Sequence, residues 1–199
     1  MAGRTDIGRH LDLQVTLRCN ATCLNCIKLC SMKSITGLDY SDSDMTLEQI
    51  DKFVNQMKAV GHKVYHSVNI TGGEALLHPN IKEIYYKIKE LKDLNLITEF
   101  IVSSNLRKTA PDFIDKSILY NNSTPEQNSE IHNTVLLHPS EMGGGTQTYD
   151  GCMHYRKTTT ILSYQGYSLC CAGDGYIRLF GMEDLITDQL PMKLSDFPP

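Results

Sequence analysis

Four of the chain's seven cysteines fall between Cys19 and Cys30, and three of them, Cys19, Cys23 and Cys26, are spaced C-x3-C-x2-C. Three thiolates on so short a loop suit three corners of an iron–sulfur cubane, which normally takes one cysteine per iron. The remaining iron is then open, and an open coordination position marks a metal site that binds a substrate or cofactor. Cys30 sets up the alternative. The longer pattern C-x3-C-x2-C-x3-C is also a zinc donor set, because thiolates suit either metal. Outside that role, Cys30 reads as a buried thiol packed like a small apolar residue.

The elements that must position these thiols are legible around them. The stretch from Leu11 to Leu17 alternates apolar and polar residues and predicts a strand running straight into Cys19. Thr46 stands three residues before Gln49 as a capping box, and Leu47, Ile50, Phe53, Val54 and Met57 follow at helical spacing up to Gly61. A second strand ends in the glycines of Thr71 to Glu74, and a second helix begins near Pro79 and carries Ile81, Ile84, Tyr85, Ile88 and Leu91 on one stripe. A third strand ends at Asn105. Strands and helices alternating across short joints imply parallel crossovers in an α/β sheet or partial barrel. In such sheets ligands sit beyond the carboxyl ends of the strands, where Cys19 and the TGGE segment both fall.

Beyond Asn105 the pattern thins, with a short helix and strand expected near Ile118 and another strand near Val135. Residues 1–141 read as the main α/β unit and 142–199 as a small extension. The extension opens on the glycines at 143 to 145 and continues as β-forming text with turn glycines at 166, 173 and 175.

At 199 residues the chain buries a core without disulfide staples, so clustered cysteines point to metal or redox chemistry in a reducing compartment. Arg4, Asp6, Arg9 and Asp12 near the start replace the apolar run of a secretory signal, and no stretch of about 18 apolar residues occurs. A cytoplasmic protein with no membrane partner is expected. The net charge of -4 argues against a nucleic-acid partner, and the local basic residues Arg18, Lys28 and Lys33 read as solvated surface charges. His66, His78, His132 and His138 read as structural or surface residues, because no catalytic partner is identifiable for them.

With CNATCLNC and TGGEALLHPNI one βα unit apart, the chain resembles the radical S-adenosylmethionine superfamily over roughly Leu11 to Asn105. The resemblance implies a pared-down (β/α) partial barrel. It also implies that Cys19, Cys23 and Cys26 ligate a 4Fe-4S cluster whose open iron is chelated by S-adenosylmethionine. Gly72, Gly73 and Glu74 would meet the methionyl ammonium through backbone carbonyls and the carboxylate, with Ser103 and Asn105 touching the ribose or carboxylate. The position before the third cysteine, usually aromatic in the family, is Asn25.

The C-terminal cysteines carry a second resemblance. Cys152, Gly166 and Cys171 read C-x13-G-x4-C, like the opening of the SPASM or twitch extensions that bind auxiliary iron–sulfur clusters. Cys152 and Cys171 would be ligands of such a cluster, with Cys170 beside them and His154 as a non-cysteine candidate; the other reading is a vestigial hairpin with buried thiols. Tyr149, Asp150, Tyr155 and Asp174 are candidate acids or bases by location near the extension.

The leading expectation is a radical enzyme that cleaves S-adenosylmethionine reductively and takes hydrogen from a peptide or small-metabolite substrate. Its electron would come from a one-electron reductant such as flavodoxin or ferredoxin, and the short chain allows a homodimer that completes the site. The alternatives are a glycyl-radical activating enzyme and a non-catalytic iron–sulfur electron-carrier or metal-binding module. The cysteine-bearing C-terminus argues against the first, and affinity for S-adenosylmethionine would exclude the second.

Overall fold

The computed structural model describes residues 10–21, 26, 28–30, 39–121, 159–169, 171–192 and 196. Cys23, Asn25, Lys33, His132, His138, Tyr149, Asp150, Cys152, His154, Tyr155 and Cys170 lie outside them, as do the expected strand near Val135 and the glycines at 143 to 145.

The strands are β1 (His10–Thr16), β2 (Ser67–Gly72), β3 (Glu99–Ser104), β4 (Leu119–Asn121), β5 (Thr159–Ser163) and β6 (Gly166–Leu169), and the helices are α1 (Leu47–Val60), α2 (Ile81–Asp93) and α3 (Cys171–Phe180). They form a six-stranded sheet in the order β4-β3-β2-β1-β5-β6. Only the β5–β6 pair is antiparallel. This is a mixed α/β fold with a mostly parallel sheet, as a pared-down β/α architecture requires. The C-terminal strand pair does not hang free: β5 lies against β1 in parallel and extends the main sheet.

Alternation along the strands assigns the two faces of the sheet. Leu11, Leu13 and Val15 of β1, Val68 and Ile70 of β2, and Phe100 and Val102 of β3 are buried in one core. Ile50, Phe53, Val54 and Met57 of α1, and Ile84, Tyr85, Ile88 and Leu91 of α2, complete that core. The other face of the same strands is polar. There Asn69 donates to Asp12 at 2.8 Å, and Ser103 donates to Asn69 at 2.7 Å. Burial works against the Asp12 charge, but His10, Lys28 and Asn69 together hold its carboxyl below the usual range.

Local signals set the ends of α1. Thr46 accepts from the Gln49 amide, Gln49 accepts from the Thr46 amide, and Gly61 closes the helix at φ 71°. One expectation from the sequence is corrected. Gly173 and Gly175, read as turn residues in β-forming text, lie inside α3. Tertiary contacts overcome glycine's low helix propensity, because the buried Asp174 and Arg178 of this helix fasten it to the polar face of the sheet.

His78 is structural, as expected, and only 2 % exposed. Its Nε2 lies 3.0 Å from the Met45 carbonyl and so carries the hydrogen, while Nδ1 accepts from the Asn80 amide at 3.0 Å. Burial holds the imidazole below its ordinary pKa, with Arg18 acting the same way and the Met45 carbonyl and Asp44 opposing. The unfolded chain therefore takes up this proton first. Its contribution to stability is complete above about pH 6.5 and falls as the pH drops toward the lower folded value. Urea unfolding between pH 7.5 and 5.5 should show wild-type stability declining by up to about 1.4 kcal/mol per pH unit from this group. The His78→Asn variant should be less stable at neutral pH and should lack that component of the slope.

Candidate functional site

The carboxyl ends of β1, β2 and β3 meet at one edge of the sheet, and their connections make the site. In β1 the pairing against β2 slips between Gln14 and Thr16, so one extra residue re-aims the strand just before the cysteine loop. The ladder then continues past the strand ends. The Gly73 amide donates to the Thr16 carbonyl at 2.8 Å and the Glu74 amide to the Arg18 carbonyl at 2.8 Å. Residues Gly72 to Glu74 thus run alongside the chain that delivers Cys19. A Cβ on Gly72 would stand 2.5 Å from the Thr16 carbonyl oxygen, and one on Gly73 2.5 Å from that of Arg18 and 2.7 Å from that of Leu17. The glycines are required by this backbone-on-backbone approach, whatever ligand they also face.

Glu74 is 1 % exposed, and its carboxylate joins two more segments. Oε1 accepts from the Leu76 amide at 3.0 Å, and Oε2 accepts from the Asn105 amide at 2.7 Å. Asn105 reaches the cysteine loop in turn: Nδ2 donates to Asn20 at 2.8 Å and lies 3.9 Å from the Cys19 sulfur. The structure therefore brings Cys19, Gly72, Gly73, Glu74 and Asn105 together. Ser103 donates its hydroxyl to Asn69 on the polar face of the sheet.

The cysteine loop is closed at its neck. The Met45 amide donates to the Val15 carbonyl at 2.8 Å, and the Leu17 amide to Ser43 Oγ at 3.0 Å. Arg18 grips Asp44 with two bonds, at 3.0 and 2.7 Å, and its Nη2 also donates to the Leu77 carbonyl. Lys28 donates to Thr71 Oγ1 at 3.0 Å. Arg18 and Lys28 are thus engaged with the fold rather than solvated as expected. No local signal in the sequence could reveal this, because their partners lie on other elements.

Cys19, Cys26 and Cys30 are half-buried and form no disulfide. The Cys26 side chain, hydrogen-bonded to Cys30, pushes the Cys30 thiol above its ordinary pKa. Burial and the charges of Cys26 and Cys19 push the same way, against Lys28. The thiols of one loop therefore share one neighbourhood, and a bound cation would relieve their mutual repulsion. Among the described residues no set of three or more His, Cys, Asp or Glu stands in metal-binding array, and the middle thiol of the motif, Cys23, is not among them. The donor set fits an iron–sulfur cluster by its chemistry: soft thiolates on one loop beside a strand-end cradle.

At the C-terminus, Cys171 opens α3, and its side chain is not described. Asp174, a candidate acid or base, is 1 % exposed and paired with Arg178, so it holds the fold. The i,i+4 spacing of these two residues was one sequence signal for that helix.

No family model matches the chain. A curated relative, the GTP 3',8-cyclase of Limosilactobacillus fermentum (strain NBRC 3956 / LMG 18251), is 30% identical over 92 residues, which cover 45% of this chain and 26% of the cyclase. This match supports the resemblance to the radical S-adenosylmethionine superfamily that the cysteine and glycine motifs carry. The chain spans about a quarter of the length of that relative. The crystal structure of BtrN in complex with AdoMet and 2-DOIA aligns over 87% of this chain and 77% of its own at 13% identity, with a TM-score of 0.44. No helix among the described residues is long and apolar enough to cross a membrane.

Proposed function

We propose that this chain is a radical S-adenosylmethionine enzyme that takes hydrogen from a peptide or small-metabolite substrate. The observation that carries the reading is the continuous ladder from Gly73 and Glu74 to Thr16 and Arg18, which makes the glycine motif and the entry to the cysteine loop one rigid unit. Cys19, Cys23 and Cys26 would hold the 4Fe-4S cluster, and Gly72, Gly73, Glu74 and Asn105 would line the place of S-adenosylmethionine. When bound, these groups supply reductive cleavage of the sulfonium and hydrogen abstraction. The chain's own part is to orient and to neutralise. Glu74 brings a buried negative charge to the cradle, which offsets the cost of burying an ammonium there. Asn105 links that cradle to Cys19 through Asn20.

The deciding experiment is anaerobic purification with iron and sulfide counting, followed by dithionite and S-adenosylmethionine with mass-spectrometric detection of 5'-deoxyadenosine. About four irons per chain indicate one cluster, and about eight indicate a second at Cys152 and Cys171. Production of 5'-deoxyadenosine supports the reading. Intact iron without it turns the reading toward an electron carrier, and zinc in place of iron overturns it. Flavodoxin or ferredoxin, as the one-electron reductant, should replace dithionite.

A further inference from the structure

We propose that Arg178 is a positioning residue for the cysteine loop, clamping from α3 the turn that carries Cys26. The inference rests on the reading that this loop holds the cluster. Arg178 Nη2 donates to the Lys28 carbonyl at 3.0 Å across 150 residues of sequence. Its guanidinium also stands over the ring of Tyr40, 6.0 Å from the centroid, where the described chain resumes beyond the loop. One side chain therefore touches the loop at the Cys26 turn and near its exit.

The clamp is itself anchored. Arg178 is 6 % exposed and ion-paired with Asp174, which is 1 % exposed. Asp174 accepts from Gln14 of β1 at 2.9 Å, from Ser163 of β5 at 3.2 Å and from Ser168 of β6 at 3.4 Å. A buried charge so fully engaged is fixed in place, and it fixes the guanidinium beside it.

The turn also needs holding. It closes through the Leu29 amide on the Cys26 carbonyl at 2.9 Å, and Leu29 sits at φ 58°, a left-handed backbone that a branched side chain rarely adopts. Such a conformation persists only where its surroundings impose it. The imposing contacts lie on either side of Lys28: its carbonyl on Arg178 and its ammonium on Thr71. The geometry thus ties the C-terminal helix to the placement of Cys26 opposite the end of β2.

The test compares the full chain with Asp174→Asn/Arg178→Gln, which leaves no lone buried charge, and with Arg178→Lys. Each protein is reconstituted anaerobically and followed by hydrogen exchange and by electron paramagnetic resonance of the reduced cluster with and without S-adenosylmethionine. Loss of the clamp should speed exchange of the 26–30 amides by about tenfold or more, as removing one charged hydrogen bond would. It should also alter the cofactor-dependent resonance, with Arg178→Lys in between. Variants that merely lose thermal stability, with loop exchange within about twofold of wild type and an unchanged resonance, would overturn the proposal. If the double variant does not fold, exchange in the unaltered protein decides: the 26–30 amides should open together with α3, and opening while α3 stays closed refutes the clamp. Failure of the unaltered protein to bind iron would count against the cluster reading alone, since loop exchange needs no metal.

Discussion

Gly73→Ala is expected to lose both stability and iron. The added Cβ would stand 2.5 Å from the Arg18 carbonyl oxygen, 2.7 Å from that of Leu17 and 2.9 Å from the Arg18 carbonyl carbon. All three are backbone atoms, so no side chain can rotate away, and the strand end must move off the segment leading to Cys19. That movement breaks the bonds from Gly73 to Thr16 and from Glu74 to Arg18. Overpacking of this kind costs about 1–3 kcal/mol, and each backbone bond lost adds about 1 kcal/mol. Gly61→Ala is the control: its Cβ meets nothing within 4 Å, although φ is +71° there. It should cost about 1 kcal/mol of stability through backbone strain and leave iron binding intact. Denaturant unfolding and iron content, measured on both variants after the same reconstitution, check the result. Wild-type iron in Gly73→Ala would mean that the glycine motif and the cysteine loop are not mechanically joined.

What could be read in advance follows the range of the interactions involved. The ends of α1 were legible because Thr46, Gln49 and Gly61 satisfy that helix's own backbone, and β1 to β3 because alternation is a local property. The meeting of Cys19 with the TGGE segment followed from the parallel direction of the strands, which puts both at carboxyl ends. The reason for the glycines was only half legible. A motif suggests close approach to a ligand, whereas the strand ends approach each other just as closely. The placement of β5 beside β1 and the helical state of Gly173 and Gly175 were not legible. The first is a backbone pairing between strands far apart in the chain, and the second rests on side chains, such as Gln14 and Asp174, that lie 160 residues apart. Arg18 was misread for the same reason: a bidentate grip on Asp44 leaves no periodic trace.

Glu74→Gln separates two roles for the carboxylate at the centre of the site. If Glu74 served only to neutralise a ligand ammonium, the amide would weaken cofactor binding and leave stability unchanged. The structure gives it prior work, with one oxygen on the Leu76 amide and the other on the Asn105 amide, at 1 % exposure. Glutamine has a single acceptor atom, so its NH2 must face one of those two donors. The orphaned N–H costs about 1–3 kcal/mol, and Glu74→Ala, which orphans both, costs about that much for each. The expected result is a fall in the urea midpoint for Glu74→Gln, a larger fall for Glu74→Ala, and weaker binding of S-adenosylmethionine in both, measured by equilibrium dialysis on the reconstituted protein. Weakened binding at an unchanged midpoint would remove the joining role and leave the charge alone. A lowered midpoint with unchanged binding would do the reverse, making Glu74 the knot between β2, β3 and the cysteine loop rather than a ligand contact. Asn105 makes the joint outcome the expected one: its amide depends on Glu74 and its side chain reaches Cys19, so loosening the carboxylate also loosens the loop.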